Sequence, residues 1–197
     1  MAQPTLKAQQ STRTKAALIA AGRELFARHG YAGVTAEDIA AAANLTTGAV
    51  YHQFGSKRGL FLGVFEAVEA ELTARIGAAA ASGPGPWEGF TAAAAAFLDS
   101  AAEPDVRQVV LIDGRSVLGW EAWHDVMARY GLGLTRAAIG QLMEAGLLRP
   151  APLDALAAGV FGALSELALF VATAEDPPSA GEEARGALAV LLESLRK

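Results

Sequence analysis

The sequence has no cysteine in its 197 residues, which excludes disulfides, thiolate metal sites and cysteine nucleophiles together. Its three histidines, His29, His52 and His124, stand at no ligand spacing, so no metal site is expected. There is no Walker phosphate loop and no GxSxG elbow, and Gly131-Leu-Gly133 lacks the third glycine of a dinucleotide fingerprint. No enzymatic activity and no cofactor are therefore expected. Strand-like alternation of β-branched residues is missing, as is any internal repeat. The opening MAQPTLKAQQ has no apolar h-region and does not read as a secretory signal. The most hydrophobic stretch, Leu153–Ala174, is interrupted by Asp154 and Glu166. Its uninterrupted run falls short of the roughly 18–20 residues a membrane span needs. A helix that is buried or faces a partner is expected there, with no membrane role and a cytoplasmic location.

What the chain does have is Ala, Leu, Glu and Arg throughout, with 52% hydrophobic and 19% charged residues. This composition predicts an all-α fold. Charge is divided unevenly. Residues 1–58 hold seven Lys or Arg against three Asp or Glu, a net of +4, while the remainder holds nine against 18, a net of −9. A basic head on an acidic body points to two modules with different partners, and the overall −5 does not oppose nucleic-acid binding by the head.

Punctuation residues divide the chain into helices. A first helix is expected over about 12–29, stopped by Gly30. Thr35-Ala-Glu-Asp38 reads as a capping box opening a short second helix that breaks near Asn44. A third covers roughly 47–53 and ends at Gly55. Ser56 then caps a long fourth helix to about residue 81, stopped by SGPGP. Further helices are expected near 87–102, 104–112, 120–145, 152–174 and 179–196.

The second and third helices, TAEDIAAAANLTTGAVYHQF, read as a unit. Ile39, Ala40 and Ala43 can close on Leu45, Val50 and Phe54 over a tight turn, with Asn44 supplying left-handed geometry. This is a helix-turn-helix pattern, whose second helix would present its other face to a DNA major groove. Thr46, Thr47, Gly48, Tyr51 and His52 then point outward, and Gly48 would let the backbone approach closely. Lys57 lies where helix N-terminal N–H groups already favour an anion. Taken singly, Lys57 and His52 could equally be ordinary solvated surface residues.

Over about residues 12–65 the features Leu25-Phe26, Gly30-Tyr31, Thr35, Ile39-Ala40, Gly48, Tyr51, Phe54 and Ser56-Lys57 resemble the DNA-binding domain of TetR-family transcriptional regulators. The resemblance implies that Thr47, Tyr51 and His52 lie on the recognition helix, and that Thr35 and Lys57 contact phosphates. Asn44 departs from the usual glycine. Gln53 departs from the usual histidine but can still donate to a phosphate. The domains expected are an N-terminal tail (1–11), a three-helix DNA-binding domain (12–56), a connecting helix (57–82) and a helical ligand-binding and dimerisation domain (83–197). DGRSVLGWEAW (113–123) is similar to a segment in one subgroup of these C-terminal domains.

Pocket candidates in the body are Trp87, Phe90, Phe97, Trp120, Trp123, Met127, Phe161 and Phe170, with Asp113, Arg115, His124 and Glu166 as polar contacts. Aromatics at helical spacing also serve as plain core. Leu156, Val160, Leu164, Leu167 and Val171 form one apolar stripe, and Leu188, Leu191, Leu192 and Leu195 another. They would either build a four-helix homodimer interface or pack on their own chain. A twofold dimer would place two recognition helices on half-sites about 34–36 Å apart in a palindromic double-stranded operator. The function expected is a transcriptional regulator, a repressor released by a small hydrophobic or amphipathic effector. The alternative is a ligand-independent dimeric regulator whose body serves only dimerisation or a protein partner.

Overall fold

The structure is a computed structural model that describes residues 6–197. The part of the expected N-terminal tail at residues 1–5 lies outside the described residues. Residues 6–11 belong to the first helix, α1 (Leu6–His29), which starts six residues earlier than its composition suggested. Gly30, at φ +68°, ends it in the left-handed region that favours glycine.

The head is completed by α2 (Ala36–Ala42) and α3 (Thr47–Phe54). Asn44 makes the turn between them at φ +54°, the conformation expected of it. Thr35 caps α2 in a full capping box with Asp38. Leu18, Phe26, Val34, Ile39, Ala40 and Val50 are buried between these helices and the start of α4. Phe26, Tyr31 and Phe61 close the head's core as a ring cluster, with Phe61 edge-on to both partners at 5.2 Å.

The long helix α4 (Lys57–Ala81) is capped by Ser56, whose hydroxyl accepts the Gly59 N–H at 3.0 Å. Its first half buries Leu60, Phe61, Val64 and Phe65, and its second half packs on α5 (Pro86–Ser100). A π-helical segment, Val106–Asp113, leads into α6 (Gly114–Arg129). Glu103-Pro104 marks the break before it as expected, but the wider π turn has no compositional signature. The single helix expected over 120–145 is instead two. α6 runs up to Arg129, and α7 (Gly131–Glu144) follows after Tyr130. A Cβ at Gly131 would lie 2.9 Å from the Phe161 ring, so the second element starts where glycine permits that approach. α6 is itself kinked at Gly119, which has φ +71°.

The body closes with α8 (Leu153–Thr173) and α9 (Pro177–Leu195). A second core gathers Trp87, Phe90, Leu98, Ile139, Leu142, Val160, Leu164, Val171, Leu188 and Leu192 between α5, α7, α8 and α9. Val160, Leu164, Val171, Leu188 and Leu192, expected as candidates for a dimer face, are thus covered within the chain. Leu156, Leu167 and Leu195 are half-buried, and only Leu191 of the nine is exposed. The stripes face inward because α8 must roof α5 and α7 while α9 leans on α5 and α8.

Candidate nucleic-acid interface and effector cavity

The turn at Asn44 throws one face of α3 outward. Thr46, Gly48, Tyr51 and His52 are exposed, Thr47 and Gln53 are half-exposed, and Val50 alone is fully buried. These outward residues form one contiguous surface of hydroxyls, ring edges and an amide. Gln53 is held from α1, its amide exchanging hydrogen bonds with the Ser11 hydroxyl at 3.2 Å. Thr35 stands at the start of α2. Its hydroxyl donates to the Asp38 carboxylate at 2.6 Å and accepts the Asp38 N–H at 3.1 Å. The bonds from the Thr35 hydroxyl and N–H hold the Asp38 carboxyl below its ordinary range.

Lys57 has a different setting from the one its sequence position suggested. Its ammonium donates to the carbonyls of Tyr31 and Val34, both at 2.9 Å, and lies 3.9 Å from the centre of the Tyr31 ring. Two of three donors are engaged in fastening the loop before α2 to the start of α4, which leaves one direction for an outside anion.

The neighbouring Arg58 faces the body. Its guanidinium donates to the carbonyl oxygens of Val117 and Leu118, immediately before the Gly119 kink. Asp113 strengthens the same joint. Its carboxylate accepts the Tyr31 backbone N–H at 2.7 Å and the Gln108 amide at 3.0 Å. Nearby, Arg23 of α1 bridges Asp105 and Glu71 at 2.6 and 2.7 Å.

The body encloses a cavity of about 460 Å³ between α4, α5, the π segment, α6, α7 and α8. Of the residues expected to line it, Phe90, Phe97, Arg115, Trp120, Trp123, His124, Met127, Phe161 and Glu166 do so. Three do not. Trp87 is buried in the second core under the Arg196 guanidinium, Asp113 is spent on the joint with Tyr31, and Phe170 is exposed on the outside of α8. At the rim, Trp120 stacks obliquely on Trp123 and His124 at 5.7 and 5.1 Å. Arg115 lies over both indoles at 5.2 and 5.6 Å.

Among the lining residues outside the sequence reading, one is ionisable. Glu69 is 4% exposed, and among the described residues no hydrogen bond or ion pair is made to its carboxyl. Burial alone pushes its pKa up to about 7. The signal was present, because Phe61, Phe65, Leu72 and Ile76 form an inward α4 face and Glu69 interrupts it at Phe65 + 4. Among the described residues no group of acids and histidines is arranged to hold a metal ion.

A helix-turn-helix head with the outer face of its second helix exposed, joined by one continuous helix to a hollow helical body, defines a DNA-binding transcriptional regulator. Residues 18–64 match the family described as bacterial regulatory proteins, tetR family, and residues 87–195 match the tetracyclin repressor-like C-terminal domain. The chain belongs to the TetR family. A TetR-family regulator from Pectobacterium atrosepticum is 34% identical, with 98% of each chain covered and a TM-score of 0.85. RolR, solved with resorcinol, is 22% identical, with 95% of this chain and 90% of that one covered and a TM-score of 0.74. The fatty acid degradation regulator FadR from Bacillus halodurans is 17% identical, with coverage of 95% and 96% and a TM-score of 0.73. The last two share the fold. No curated protein matches the sequence.

Proposed function

We propose that this protein is a homodimeric repressor whose hold on a palindromic operator is released by a small hydrophobic or amphipathic molecule bound in the body cavity. The observation that carries this reading is the joint at Arg58. The helix that lines the cavity with Glu69, Leu72, Thr73 and Ile76 also begins the head. Its first turn grips α6 just before the segment that supplies Trp120, Trp123 and His124. A ligand that reorders those rings moves the Val117 and Leu118 carbonyls, and Arg58 carries the displacement to the base of the reading head. Coupling of this kind takes the form of different operator affinities in two states, typically worth about 1–3 kcal/mol.

Thr47, Gly48, Tyr51 and His52 read or approach bases, while Thr35, Thr46, Gln53 and the remaining donor of Lys57 meet phosphates. The dimer forms through the outer faces of α8 and α9. α8 is long and apolar enough to cross a membrane, and its own chain buries only 33% of that stretch. Small residues, Ala155 and Gly159, leave that face open beside Phe170, and α9 adds Gly186, Val190 and Leu191. A second copy covers this surface and supplies the second reading head.

The test starts from genomic fragments selected by the purified protein. These define the operator, and small molecules related to the neighbouring genes are then titrated against the complex. Release at concentrations near the ligand's Kd supports the proposal. A ligand that saturates the cavity while operator affinity stays unchanged sinks it, and leaves a ligand-independent regulator.

A further inference from the structure

Glu69 poses a problem of chemistry that the fold leaves unsolved. A carboxyl with 4% exposure in an apolar cavity is costly in its charged form unless a cation or donor meets it. The ion pairs on either side of it along the same helix, Glu66 with Arg129 at 2.6 Å and Glu71 with Arg23 at 2.7 Å, leave the Glu69 carboxyl out. Arg75, further along, is committed to Glu103 at 2.7 Å. Among the described residues the cavity's one guanidinium is Arg115, which sits over the rim indoles and makes no ion pair with Glu69. The lining also includes Phe90, Phe97, Met127 and Phe161, and ring faces attract positive charge.

We infer that the cavity is built for a hydrophobic amine, with its ammonium on the Glu69 carboxylate and its apolar body among Phe90, Phe97, Trp123 and Phe161. This rests on the cavity being the effector site of the proposed repressor, and it names the ligand class. An ammonium satisfies both the charge and the acceptors of Glu69. A neutral alcohol supplies one donor and no charge. A carboxylate in the same place would set two anions against each other in an apolar site.

The inference carries a proton signature. Burial pushes the Glu69 carboxyl up to about 7, and a bound ammonium stabilises the ionised form. Amine binding therefore expels the Glu69 proton and weakens as pH falls below 7. The other ionisable groups facing the cavity are Arg115 and His124 of α6 and Glu166 of α8, and a Glu69→Gln control subtracts whatever they contribute.

The experiment is calorimetric titration of the intact protein with three probes sharing one ring system: 1-naphthylmethylamine, 1-naphthalenemethanol and 1-naphthoic acid. The amine is expected to bind at least ten-fold more tightly than the other two at pH 7.5. Its affinity should fall by about 20-fold at pH 5.5, as a group titrating near 7 requires, with proton release visible in buffers of different ionisation enthalpy. Glu69→Gln should remove the preference and most of the pH dependence while leaving the alcohol within about three-fold, which also shows that the cavity is intact. Glu69→Leu should do the same to the amine.

Equal binding of amine and alcohol, preference for the acid, a preference that survives Glu69→Gln, or no binding of any probe overturns the inference. None of these outcomes touches the repressor proposal. Conversely, tight Glu69-dependent amine binding that leaves operator affinity unchanged upholds the site and removes its regulatory role.

Discussion

Gly48 shows how a single residue separates the needs of the fold from those of the partner. A Cβ there would meet nothing closer than the Thr46 hydroxyl at 3.7 Å, so nothing inside the head requires glycine. Gly48→Ala is expected to raise thermal stability by up to about 1 kcal/mol and to weaken operator binding at least ten-fold. Unchanged affinity in a gel-shift titration would place the reason for the glycine elsewhere. Glu69 makes the converse case. Its pKa rises from 4.5 to about 7 on folding, so the folded chain keeps a proton that the unfolded chain has released between those values. Stability contributed below pH 4.5 is lost as pH climbs to 7, by about 3 kcal/mol. Glu69→Gln should flatten that slope in denaturant titrations run from pH 4.5 to 8. Thr35 with Asp38, Asn44 and Ser56 were readable from sequence because their partners lie within a few residues. Lys57 was not, since its carbonyl partners at Tyr31 and Val34 are 26 and 23 positions away.

At the scale of elements, helix ends marked by Gly30, Gly55, Ser56 and SGPGP are legible in the sequence. The failures lie where backbone geometry changes without a change of composition. The π segment at Val106–Asp113 lies in sequence that any helix would accept, and the stretch 113–119, expected to be a break, is helical up to a kink at Gly119. They matter because together they aim the Val117 and Leu118 carbonyls at Arg58. Arg58→Ala should leave effector Kd within about three-fold, yet cut the effector's influence on operator affinity by at least half. Both quantities are measured on one protein preparation, by calorimetry and fluorescence anisotropy. Loss of effector binding itself would instead make Arg58 a support of the cavity.

For the whole molecule, amphipathic stripes on α8 and α9 were legible, but not the direction they face. Hydrophobic spacing fixes which residues share a side of a helix; it does not say whether the chain or a second copy covers that side. Here the Val160 and Leu188 sides turn inward, and the exposed sides carry Gly159 and Val190. Val190→Glu is expected to shift sedimentation from dimer to monomer at micromolar concentration. Operator affinity should fall by at least a hundred-fold while the melting temperature changes little. A variant that stays dimeric would exclude this face.

The length of α4 sets the scale on which such a molecule can respond. Its 25 residues extend about 37 Å at 1.5 Å each. Pivoting such a rod by about 5° at the cavity end sweeps its other end through about 3 Å. That is close to the 3.4 Å between successive bases along a strand. In the proposed dimer the two heads would move oppositely about the twofold axis, and the mismatch would double to nearly two base pairs. A rotation too small to disturb the packing of the body is thus enough to put both reading surfaces out of step with the groove.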